Sequence, residues 1–182
     1  VSTVYLAGAF FADEDGAALA LKELTDGGLF LVTAATLQAD ANGKVHVREL
    51  KDMAGGKGAA IGGVIAAGLG LFAGALLIPA AVGAAVGGMA AKLGDSGFPN
   101  ADLKARAQKL TPGSSVLIVA SRPTDWPAIE VRLKLKATAI RGGMVDSEMV
   151  ATLEKDQELV RAALAEADVQ GGPVSSYWGS SR

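Results

Sequence analysis

From Gly58 to Ala91 the chain runs for 34 residues without a charge, fenced by Lys57 and Lys92: GAAIGGVIAAGLGLFAGALLIPAAVGAAVGGMAA. No other stretch limits the fold as strongly. One straight helix of that length would reach about 50 Å, well past a bilayer hydrocarbon core of about 30 Å. Pro79 breaks it after ALLI, because proline lacks the N–H that the helix needs and crowds the preceding turn. Two helical halves are expected, 58–77 and 80–91. The first is just long enough to span a bilayer, and the second is short.

Spacing says more than length. Gly58, Gly62, Ala66, Gly70 and Gly74 recur at steps of four, as do Gly83, Gly87 and Ala91, and also Ala80, Ala84 and Gly88. Steps of four stack on one helix face, so these positions form small-residue seams of the glycine-zipper kind, along which two backbones can approach closely. Ile61, Ile65, Leu69, Phe72 and Leu76 supply a bulkier apolar side. Glycine costs a helix in water about 1 kcal/mol per residue relative to alanine, so such a helix needs lipid or tight protein packing. A flexible linker would carry Ser and polar residues rather than Ile, Leu and Phe. A phosphate loop needs Gly-Lys-Ser/Thr, which is absent. Two readings stay open: a hairpin inserted in a membrane, and a hairpin buried between subunits.

The flanks read as an α+β domain. TVYLAGAFF (3–11) is a first strand rather than a signal sequence, since no basic residues precede it. ADEDGAALALKELTDGG is a helix with acidic residues at its start and Ala17, Ala18, Leu21 and Leu24 on one face; Gly27 and Gly28 end it. LFLVTAATLQ and KVHVREL form a hairpin about Asn42-Gly43. After the Gly/Ala stretch come a short helix (101–110), the turn TPGSS and the apolar strand VLIVASR. A helix with Asp125 as N-cap and Pro127 early follows, then a strand in ATAIRGGMV. The last helix is capped by Asp146, with Met149, Leu153, Val160 and Leu164 at helical spacing. The first part of this order matches a ferredoxin-like split βαβ, an antiparallel sheet with helices on one face. The expected organisation is a ferredoxin-like domain from 1–53 and 98–168, an inserted glycine-zipper helical hairpin at 54–97, and a tail at 169–182.

The pattern resembles a bacterial glycine-zipper family, domain of unknown function 1269. The resemblance rests on Phe11, Glu14, Ala17, Leu21 and Leu24 in the first helix region, and on the strand hairpin. The Gly/Ala stretch and then Leu110, Pro112, Gly113, Ser114, Ser115, Leu117 and Val119 complete it. It runs over about residues 3–155, and TPGSS is its most specific piece. It implies a membrane protein with no established activity and brings no catalytic residues.

No catalytic constellation emerges. The chain has no cysteine, and so neither disulfides nor thiolate chemistry. His46 is its single histidine, set on a strand between Lys44 and Arg48 with no ligand cluster nearby, so no metal and no cofactor are expected. Ser114 and Ser115 lack a nucleophile-elbow context. A net charge of −2 gives no general attraction for nucleic acid. RLKLKATAIR, with Arg132, Lys134, Lys136 and Arg141, reads as a solvated face, or as a strand with one basic side. Tyr177 and Trp178 stand out in the Gly/Ser-rich tail as a docking peptide. The expectation is a non-enzyme that associates with itself. It is membrane-associated with its domain facing the cytoplasm, or else a soluble homo-oligomer, filament or shell, with no small-molecule substrate. A third reading is a small-ligand or stress-response regulator.

Overall fold

The computed structural model describes residues 2–42, the backbone of 45–50, residues 64, 68, 88, 91 and 92, residues 110–153 and residue 155. Strand β1 (Val4–Phe11) leads into helix α1 (Gly16–Asp26), β2 (Thr33–Ala39) and β3 (Val45–Leu50). Strand β4 (Ser115–Ser121), helix α2 (Trp126–Leu133) and β5 (Ala139–Val145) follow. A further helical stretch covers 147–153. The class is α+β, as the sequence leads one to expect.

The five strands form one sheet in the order β3-β2-β4-β1-β5, with every pairing antiparallel. The split unit takes its middle strand from beyond the Gly/Ala stretch: β4 lies between β1 and β2, and β3 is added outside β2. The apolar pattern accounts for this. SVLIVAS is apolar at five successive positions and every residue of β4 is buried, as suits a strand covered on both faces. VHVREL alternates apolar with polar from Val45 to Arg48 and carries three polar residues, which suits an edge.

One face of the sheet carries Ala7, Ala9, Phe11, Ala34, Leu117 and Val119, packed with α1 and α2 through Leu21, Leu24, Trp126, Ile129 and Leu133. Helix α1 buries Ala17, Ala20, Leu21 and Leu24. The alternate residues point the other way. Helices on one face alone would leave these in water, yet Leu6, Leu37, Val116 and Ile118 are all 0 % exposed. The sheet is therefore covered on both sides, which corrects the one-sided arrangement expected from the order of elements.

Other local expectations are refined. Asp146 caps the 147–153 helix: its Oδ1 accepts from the Met149 N–H at 2.8 Å. The buried side of that helix is Val150 and Leu153, with Met149 half-buried. Asp125 precedes α2 but makes no side-chain cap hydrogen bond. RLKLK is the end of α2 and a following turn, which corrects the alternative of a basic strand.

Candidate functional site

Of the expected seam, Ala91 is helical and half-buried. Gly58, Gly62, Ala66, Gly70, Gly74, Gly83 and Gly87 lie outside the described residues, as do Tyr177 and Trp178. Two positions not singled out by spacing matter instead. Val64 is helical and 0 % exposed. Gly68, one turn on, is helical and buried against the second face of the sheet. A Cβ on Gly68 would stand 2.9 Å from Ile118 Cγ2 and 3.2 Å from Leu6 Cδ1. Glycine is thus what permits the backbone to lie on β1 and β4 here. At about 100° per residue, Val64 and Gly68 are separated by about 40° around a helix and so share one side of it. Gly88, from the 80/84/88 repeat, is helical and exposed.

TPGSS is a structural joint. The Ser114 N–H donates to the Thr111 carbonyl at 3.0 Å, with Pro112 and Gly113 between them. Gly113 has φ +80°, the left-handed conformation that this turn requires at its third position. The turn is stitched to the end of β2: Gly113 N–H donates to Ala39 O at 2.8 Å, and Ala39 N–H to Ser114 O at 3.0 Å. Ser115 Oγ then accepts from the Ala17 N–H at 2.9 Å and donates to Asp13 O at 2.7 Å. A β4 hydroxyl thereby satisfies the start of α1, where Asp15 makes no side-chain cap hydrogen bond. Gln38 Nε2 reinforces this end by donating to Glu14 O and Asp15 Oδ1. Replacing Ser115 with alanine leaves the buried Ala17 amide unsatisfied and should cost about 1–3 kcal/mol in urea denaturation.

The chemistry left over is sparse. Lys134 pairs with Glu130, Lys136 with Glu23 and Arg122 with Asp125. Each basic group of this part of the surface that forms such a pair is matched by an acid nearby, and the pairs are exposed enough to contribute little to stability. His46 sits in β3, and its side chain lies outside the described residues. Among the described residues no group of three His, Asp or Glu side chains is placed to hold a metal ion. Among them, too, no helix is long and apolar enough to cross a membrane.

Tyr5 stacks on Trp126 with ring centroids 4.3 Å apart and planes 17° from parallel. Burial, and secondarily the charge of Glu130, raise the Tyr5 hydroxyl above its ordinary value of 10.0. The unfolded chain ionises this group first. The stabilisation is complete below the unfolded value and drains away as pH rises from there through the folded value. Urea denaturation at rising alkaline pH should show this loss, and Tyr5→Phe should flatten that part of the profile.

A family model described as a protein of unknown function, DUF1269, matches residues 57–165. The chain belongs to this family. The match includes the Gly/Ala stretch, TPGSS, β4, α2 and β5, so the DUF1269 region holds both the sheet's central strand and the helical residues seated on it. Neither a curated protein nor a solved structure matches the chain.

Proposed function

We propose that this DUF1269 protein is a non-enzymatic, self-associating protein, assembled from copies that meet along the small-residue seam of the Gly/Ala stretch. On this reading the domain has ferredoxin-like connectivity with an added edge strand, and the hairpin belongs to the protein interior of a soluble homo-oligomer. The observation that carries it is the seating of Gly68 on Leu6 and Ile118. Val64 is fully buried and Gly68 has protein beside it where a membrane hairpin would have lipid. At about 100° per residue, seam positions 62, 66 and 70 fall on the other side of a helix from Val64 and Gly68, the side that this reading gives to a second copy. Close backbone approach along such a face gains dispersion contacts that larger side chains would block.

Sedimentation velocity tests this directly. The wild-type chain should sediment as an oligomer, and Gly62→Leu, Ala66→Leu and Gly70→Leu should each shift it to the monomer while leaving its circular dichroism unchanged. Wild-type assembly in all three variants sinks the seam as the interface. The second reading is a membrane-associated protein whose hairpin inserts and oligomerises in lipid. It draws on the 34 uncharged residues between Lys57 and Lys92. Recovery of the purified protein only in detergent would favour it over the soluble assembly.

A further inference from the structure

We propose that the second face of the sheet and a lipid bilayer compete for the same helical residues, so that membrane binding by this chain is thermodynamically linked to opening of its own core. The inference rests on the second reading above for its partner, and on the described contacts for its mechanism. Val64 is fully buried and Gly68 is in van der Waals contact range of Leu6 and Ile118. Val64 buried in the folded domain and Gly68 seated on the sheet cannot lie in hydrocarbon at the same time. Their surroundings in sequence, from Gly58 to Ala91, hold no charge that would oppose transfer to lipid. At Gly68 the contact is also one-sided in chemistry. The sheet supplies Leu6 and Ile118 side chains, and the helix supplies backbone at Gly68, which has no side chain to interdigitate. A bilayer can satisfy the same apolar surface.

Leaving the sheet, however, exposes Leu6 and Ile118, each 0 % exposed in the folded domain. A ligand shifts such an equilibrium only by its differential affinity for the two states. Linkage makes the effect reciprocal: weakening the sheet contact must strengthen lipid binding, and lipid must loosen β1 and β4.

Flotation with phosphatidylcholine vesicles, which carry no net charge, reads this out on the full chain. Gly68→Leu overfills the contact, and Leu6→Ala removes the atoms that touch the helix. Each should raise the floated fraction about tenfold, the change that corresponds to about 1.4 kcal/mol. Ile129→Ala weakens the core on the opposite face without touching Gly68, and should leave flotation near the wild-type level. Hydrogen exchange on floated protein should show faster exchange across 4–11 and 115–121. Three results would overturn the competition: no gain in either contact variant, an equal gain in Ile129→Ala, or floated wild-type protein with unchanged protection in β1 and β4. The seam does not enter this test. Gly62→Leu reports on self-association by sedimentation without vesicles, so failure of one proposal is distinguishable from failure of the other.

Discussion

Gly142→Val should be the most damaging single substitution in the sheet, costing about 3 kcal/mol or more in urea denaturation. A Cβ at Gly142 would lie 2.7 Å from the Leu6 carbonyl oxygen, 2.8 Å from Ala7 Cβ and 2.9 Å from Tyr5 Cε1. Two of those neighbours are fixed to the β1 backbone, so no rotamer change relieves the clash. Overpacking typically costs about 1–3 kcal/mol, and a neighbour that cannot give places this site at the upper end or beyond. The β1–β5 ladder has to part, with Tyr5 lifted from its place beside Trp126. Small domains hold only about 5–15 kcal/mol in total, so the variant should lose a large share of its stability. Gly28 provides the contrast. It has φ +71° and open space around it, so Gly28→Ala should cost only the left-handed backbone penalty of about 1–2 kcal/mol. Equal losses at the two positions would mean that β5 does not pack on β1 as closely as described.

Ile118→Ala should be as costly as Leu117→Ala, each about 2–5 kcal/mol. The two residues are neighbours on β4 and point to opposite faces. Leu117 belongs to the core beneath α1 and α2, and Ile118 meets the helix at Gly68. In a sheet covered on one side only, one of the pair would stand in water and its truncation would cost little. Side-by-side denaturation curves therefore measure whether there are two cores or one. A loss below about 0.5 kcal/mol at Ile118, the size of an ordinary surface change, would show the second face to be open.

Much of this fold can be read from residue order. The strands at β1, β4 and β5, helix α1 and helix α2 all follow from periodicity and from Gly and Pro punctuation. The strand order does not follow from adjacency in sequence. It is better read from composition: the continuous apolar run of SVLIVAS marks the centre, and the alternating VHVREL marks the edge. Two-sided burial was legible in the same run, since a strand with one wet face alternates. The capping of α1 was not legible. Acidic residues before Gly16 suggest a local cap, whereas the bond to Ala17 N–H comes from Ser115, 98 residues later. The resemblance to DUF1269 picked out TPGSS, and the hydrogen bonds give that motif a structural reason.

The candidate site was harder because Gly and Ala satisfy several frames at once. Steps of four through 58, 62, 66, 70 and 74 give one small-residue face. The neighbouring frame through 60, 64 and 68 gives another that mixes Ala, Val and Gly. Spacing alone selects the first. Buried Val64 and Gly68 belong to the second, and Gly68 is singled out by the shape of Leu6 and Ile118 on strands far away in sequence.

The placement of β4 between β1 and β2 also sets an order of events during synthesis. The central strand of the sheet is made only after the whole uncharged Gly/Ala stretch. Until Ser115–Ser121 appears, β1 and β2 have no strand to join them, and Gly68 has no finished surface on which to rest. Long-range pairing of this kind forms slowly and leaves apolar surface open to other encounters. For an interval of each synthesis cycle, the nascent chain presents its most apolar segment before it owns the partner that buries it.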